Sequence, residues 1–191
     1  AAVAVSSLTF AQQFGAKAGM NVSTISDEGF DDTKSKVGYY AGVFMNVPVS
    51  ESFSIQPEVL YNNLGSKVSS TVLGTTYSST LNLDYVAVPV MFQYKATPQF
   101  YLEAGPEFGF LVNAKQKFDN GSSSIVTELD KEDFNSFNMG VGLGLGFDIS
   151  KNVGLNARYV AGFSDITKES GPSTDAKNKN NAFQVGLNIK F

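Results

Sequence analysis

The stretch MGVGLGLGFDIS, residues 139–150, decides how the rest of the chain is read. Gly140, Gly142, Gly144 and Gly146 fall at every second position, with Val141, Leu143, Leu145 and Phe147 between them. That is a period of two, the repeat of a β-strand whose side chains alternate between faces. A dinucleotide-binding loop needs a tight turn after a strand and a helix after the turn, and no helix start follows Gly146. The stretch is instead a strand that wants large apolar residues on one face and almost nothing on the other.

Composition narrows what such strands can build. The chain has 191 residues, enough for one domain with a sizeable core. It carries a net charge of −4, which argues against a nucleic-acid partner bound through a basic surface. Cysteine, histidine and tryptophan are absent. Disulfides, thiolate metal sites and every mechanism built on a histidine base or ligand are thereby excluded. Mean hydropathy is −0.06, and nowhere does an apolar run reach the ~18 residues of a membrane-spanning helix.

The opening AAVAVSSLTFAQQ reads as the apolar end of a secretory signal, with Thr9 and Ala11 as the small residues ahead of a cut before Gln12. The expected organisation is a signal remnant over 1–11 and one domain over 12–191.

Seven further segments share the period of residues 137–149. They are 14–23, 36–47, 53–63, 81–95, 100–113, 153–164 and 182–191. In 81–95 the apolar phase shifts: Leu81, Leu83 and Tyr85 lead, then Val86, Val88, Val90, Phe92 and Tyr94 follow. A bulge near Tyr85 and Val86 would restore one continuous apolar face. The connections alternate strictly. Those at 24–35, 64–80, 114–136 and 165–181 are long and polar, and those at 48–52, 96–99 and 150–152 are tight. The third long connection is expected to continue its hairpin outward, and the fourth to be flexible.

An even number of alternating strands, joined by turns that are short at one end and long at the other, is the pattern of an outer-membrane barrel. The expected fold is all-β, an eight-stranded antiparallel up-and-down transmembrane β-barrel. A soluble lipocalin-like ligand carrier is the competing architecture, with its apolar face turned inward. The other face discriminates. It carries Lys17, Gln56, Glu58, Asn82, Asp84, Glu103, Glu107, Asn156, Arg158, Gln184, Asn188 and Lys190 among many glycines. That face is under-charged for a soluble exterior, whereas in a narrow lumen small residues leave room for long charged ones to cross and pair. Aromatic residues gather toward both strand ends, as interfacial girdles do.

Several stretches, among them FGAKAGMNVS, LDYVAVPVMFQYK, FYLEAGPEFGFLVNAK and FQVGLNIKF, resemble the small outer-membrane β-barrel proteins of Bacteroidetes, the porin-family or PorT-like group. The most specific pieces are Gly15-x-Lys17-x-Gly19-x-Asn21, Gln56-Pro57-Glu58-x-x-Tyr61, Val88-Pro89 and Glu103-Ala104-Gly105-Pro106. The resemblance implies a bacterial outer-membrane location with periplasmic termini, surrounded by lipid and lipopolysaccharide. It also implies that the terminal Phe191 serves as the signal read by the barrel-assembly machinery.

Function is expected to lie in a filled barrel rather than an open one. Eight strands enclose an interior that side chains just fill, so Glu58, Glu103 and Glu107 are expected to pair with Arg158 and Lys17. A narrow porin-like channel, or a barrel subunit of a secretion or assembly complex, is the alternative. Enzymatic work is not expected. Glu103 and Glu107 lie four residues apart on one strand, roughly 13 Å, too far for a glycosidase pair. No cofactor is implied. The extracellular loops are the expected surface for an envelope protein partner. In the first, Asp27, Glu28, Asp31 and Asp32 form an acidic cluster that could hold a divalent cation, although its spacing matches no calcium loop and a solvated loop is the simpler reading.

Overall fold

The structure, a computed structural model, describes residues 12–26, 35–72, 75–130, 134–166 and 179–191. Among them run nine strands: β1 (Gln13–Ser26), β2 (Lys36–Pro48), β3 (Phe53–Val72), β4 (Thr75–Lys95), β5 (Phe100–Asp119), β6 (Ser124–Glu128), β7 (Phe137–Asp148), β8 (Val153–Gly162) and β9 (Lys179–Lys190). Every pairing is antiparallel. The order β4-β3-β2-β1-β9-β8-β7-β5 closes on itself through β4 and β5, so eight strands form a ring, and β6 extends from β5 outside it. At the level where all eight strands pair, closure leaves no unpaired edge among the described residues, which is what a wall in lipid requires.

The alternation in β7 is the barrel wall in miniature. Leu143 is 60% exposed, and Val141, Leu145 and Phe147 are exposed beside it. The glycines face inward, against bulk from other strands. A Cβ on Gly146 would overlap the Tyr101 ring, one on Gly142 would press on Met91 and Arg158 at 3.2 and 3.3 Å, and one on Gly144 would meet Glu103 at 3.0 Å. The empty face of β7 is the space that its neighbours' long side chains fill.

The three tight turns share one device. Phe53 N, Phe100 N and Val153 N donate to the hydroxyls of Ser50, Thr97 and Ser150 at 3.1, 2.9 and 3.1 Å. Their carbonyls accept from Val49, Ala96 and Ile149 at 2.8, 3.0 and 2.9 Å. A hydroxyl that bonds its own turn's backbone is what makes serine and threonine turn residues. The start of β1 and the end of β9 lie at this same end, since Gln13 pairs with Asn46 and Phe191 N donates to Phe14 O at 2.9 Å.

Two expectations need correction. Residues 64–72 and 75–80 are strand rather than loop. β3 runs on to Val72 and pairs with β4 from Thr75 onward, with Thr71 and Thr76 hydroxyls 3.0 Å apart across the hairpin. Threonine, valine and tyrosine favour strands, and with no apolar face to bury here the segment shows no contrast between faces. Leu83 and Tyr85 do not join the outer apolar face. They are buried with Ala87 and Met91 on one unbroken inner phase of β4, which leaves Asn82 and Asp84 on the opposite phase from the lumen. The register shift does fall at Asp84/Tyr85, but its extra residue is Val112 on β5, between Leu111 opposite Tyr85 and Asn113 opposite Asp84. The reason is an inner apolar cluster at the long-loop end, where Leu64, Leu83, Tyr85, Leu111, Phe134 and Ile166 pack together. The third long connection does continue its hairpin, as β6 paired with β5 from Lys115↔Glu128 to Asp119↔Ser124.

Candidate functional site in the barrel lumen

The lumen is organised around Arg158 of β8, which is 1% exposed. Its Nε donates to Glu103 Oε1 at 2.8 Å, and Nη1 and Nη2 donate to Glu58 Oε2 and Oε1 at 2.9 and 2.8 Å. Lys17 Nζ donates to the same Glu58 Oε1 at 2.8 Å. β3 and β8 stand opposite each other in the ring, separated by four steps in either direction. Arg158 therefore bridges the barrel's full diameter, and its planar fork holds Glu58 bidentately.

Amides extend the cluster toward the short turns. Gln56 Nε2 donates to Glu58 Oε1 at 2.8 Å and Gln93 Nε2 to Glu103 Oε2 at 3.0 Å. Asn46 Nδ2 reaches Gln93 Oε1 at 2.8 Å and Gln56 Oε1 at 3.1 Å. A second chain crosses beside it: Tyr40 OH donates to Asn156 Oδ1, Asn156 Nδ2 to Asn188 Oδ1, and Asn188 Nδ2 to Tyr101 OH, at 2.8, 2.8 and 3.0 Å. Lys190 and Asp148 pair at 2.6 Å near the end of the barrel. Buried charges are tolerable only when paired and hydrogen-bonded, and this network supplies both conditions.

Lys17, Glu58, Glu103 and Arg158 thus meet in one cluster. Glu107, on the same phase of β5, does not: it is 7% exposed, and its Oε2 has no hydrogen-bond partner. Asp27, Glu28, Asp31 and Asp32 lie outside the described residues, as does 1–11. Phe191 is 77% exposed at the end of β9. Tyr40, Tyr101, Asn46 and Gln93 were not singled out as site residues from sequence. Their parity on the strands placed them inside, but nothing local showed which opposite strand they would meet.

Above and below the Arg158 level lie cavities of about 20 Å³ each. Neither joins the two ends. With Arg158 across the middle and the apolar cluster above, the lumen is a packed interior, as expected for eight strands.

Outside, an apolar belt is bounded by aromatic pairs. Phe53 and Tyr94 sit 5.0 Å apart near the short turns; Tyr39 with Tyr61, and Phe110 with Phe137, sit 6.2 and 5.5 Å apart near the other end. Tyr94 and Val86, which pairs with both Tyr61 and Phe110, are eight residues apart on β4. That is ~27 Å along a strand and ~20 Å after the usual tilt, close to the ~25 Å apolar band of such barrels. A closed antiparallel ring with a polar, side-chain-filled interior and an apolar girdled exterior defines a transmembrane β-barrel of the bacterial outer membrane.

The chain belongs to the outer membrane protein beta-barrel domain family, whose model matches residues 10–168. Among solved structures it is similar to Ail, the attachment invasion locus protein of Yersinia pestis, at 13% identity and a TM-score of 0.50, with 94% of this chain and 98% of that one covered. The same protein in complex with the heparin analogue sucrose octasulfate gives 14% identity and 0.51, covering 94% and 99%. No curated protein sequence matches the chain. These likenesses support the fold of the ring, and the soluble carrier has no support among them.

Proposed function

We propose that this protein is a structural and interaction component of the outer membrane, without enzymatic activity, whose working surface is the strand extension beyond the belt. The observation that carries the reading is Arg158 joined to Glu58 across the barrel's diameter. A lumen closed in this way leaves little for a diffusing solute, so recognition falls to what projects. The motifs around Gln56-Pro57-Glu58 and Glu103-Ala104-Gly105-Pro106 favour membership of the PorT-like group.

The end with the tight turns, the start of β1 and the end of β9 is read as periplasmic, and the projecting end as extracellular, following the loop asymmetry of such barrels. On that orientation the belt faces lipid and lipopolysaccharide, and β9 with Phe191 presents the assembly signal from the periplasmic side. The upper parts of β3, β4 and β5, together with β6, form a four-stranded sheet beyond the belt. Val68, Tyr77, Phe118 and Ile125 border a cleft of about 340 Å³ on its inner face. The outer edge of β6 pairs with no strand among the described residues, and Ile125 and Val126 are 66% and 57% exposed there. An unpaired edge with exposed apolar residues is a template for an extended segment of a partner.

The test is a pull-down from detergent-solubilised outer membranes, with mass spectrometry of what co-purifies. A stoichiometric partner that is lost when β6 carries Ile125→Lys and Val126→Lys supports the reading. Recovery of the barrel alone, or of a partner that ignores both changes, contradicts it.

A further inference from the structure

Proline inside a sheet removes a ladder hydrogen bond and is ordinarily confined to edge strands and bulges. Three adjacent strands of the ring carry one each: Pro57 on β3, Pro89 on β4 and Pro106 on β5. Each coincides with an interruption of one ladder. Phe44 pairs with Glu58, and the next pair on that ladder is Val47 with Ile55. Pro57 pairs with Val90, and the next is Leu60 with Ala87. Pro89 pairs with Glu107, and the next is Phe92 with Ala104. Both strands advance equally across each gap, so none is a bulge.

Continuing the register through the gaps sets Met45 opposite Pro57, Glu58 opposite Pro89 and Val90 opposite Pro106. The pairing fails where the proline would have donated. The carbonyls of Met45, Glu58 and Val90 are therefore left without the donor that the ladder would supply.

Depth makes such carbonyls costly. On β3, Pro57 stands midway between Phe53 and Tyr61, which belong to the aromatic margins of the belt. Hydrocarbon holds no water to replace the missing donors, and a backbone acceptor left bare there is strongly unfavourable.

Two of the three gaps share a recess. A groove of about 520 Å³ on the outer wall is lined by Met45, Pro57, Val59 and Val88 from the first two gaps, and by Phe14 and Phe191 toward the short-turn end. Its lining and its free carbonyls demand different chemistry of one ligand. The apolar side chains fit a hydrocarbon chain. The carbonyls of Met45 and Glu58 only accept, so that chain must bring an O–H or N–H donor to the middle of the belt. A plain acyl chain brings none, and an ion or a polar solute would lose its water without compensation from so apolar a wall.

We propose that this groove seats one hydroxylated acyl chain, whose mid-chain hydroxyl donates to the carbonyl of Met45 or Glu58. The site depends on neither the orientation of the barrel nor a protein partner.

The experiment is native mass spectrometry of the purified barrel in detergent, offered equal amounts of two phosphatidylcholines. The two lipids differ only in one mid-chain hydroxyl on a stearoyl chain. Wild type should retain the hydroxylated lipid in roughly threefold excess or more, the scale of one hydrogen bond within a membrane. Pro57→Ala combined with Pro89→Ala restores both N–H donors to the ladders and should bring the two lipids level. Val59→Phe keeps both prolines but fills the groove; it should also lower the preference, and it decides the matter if the double variant does not fold. Equal retention of the two lipids by wild type, or a preference unchanged in either variant that folds, overturns the site.

Discussion

Arg158 of β8 and Glu58 of β3 stand on opposite walls of the ring and are joined by two hydrogen bonds of 2.9 and 2.8 Å. Glu103 and Lys17 hang on this bridge from strands midway around on either side. The arrangement ties four strands together through the lumen, where each group is at most 3% exposed. Interior packing and backbone closure thus reinforce each other.

Removing the bridge leaves two carboxylates buried without their main cation. Arg158→Ala should lower the unfolding free energy in lipid vesicles by about 3 to 5 kcal/mol, the usual cost of breaking a buried ion pair. A loss below about 1 kcal/mol, the scale of an exposed pair, would show that water reaches the cluster. The double change Glu58→Gln with Arg158→Met should recover part of the loss.

The outer face answers to a different rule. Leu143, 60% exposed on β7, should tolerate Leu143→Phe with little change. Leu143→Arg should cost about 2 to 4 kcal/mol if the position lies near the bilayer midplane. A neutral outcome in the same vesicle unfolding assay would mean that this face does not meet hydrocarbon.

Gly146 tests the fit of the inner face. An added Cβ would overlap the Tyr101 ring, which cannot swing freely because its hydroxyl accepts from Asn188 at 3.0 Å. Gly146→Ala should therefore destabilise by about 1 to 3 kcal/mol, as overpacking does, despite the small gain from a stiffer unfolded chain. In a double-mutant cycle, Tyr101→Leu should remove most of that penalty; strict additivity would mean that the two residues do not touch.

The parts of this fold that sequence made legible are those in which the two faces of a strand differ chemically. β7 could be read from its glycines, and β8 from Leu155, Ala157, Tyr159 and Ala161 set against Asn156 and Arg158. Beyond the belt that contrast disappears, and the serine- and threonine-rich ends of β3 and β4 resembled a loop. Leu81 to Tyr85 misled for the converse reason, because an apolar cluster occupies the inside of the barrel at that level. The site was legible by parity alone. Lys17, Glu58, Glu103, Glu107 and Arg158 share the inner face, but only closure of the ring sets β3 opposite β8 and leaves Glu107 outside the hydrogen-bonded cluster.

The most direct measurement of the closed lumen is single-channel recording on the purified barrel in planar bilayers. The wild-type protein should give no discrete conductance steps, because Arg158 and its carboxylates block the diameter and the apolar cluster lies above them. Stable, reproducible steps from the intact protein would contradict a side-chain-filled interior and make the barrel a channel.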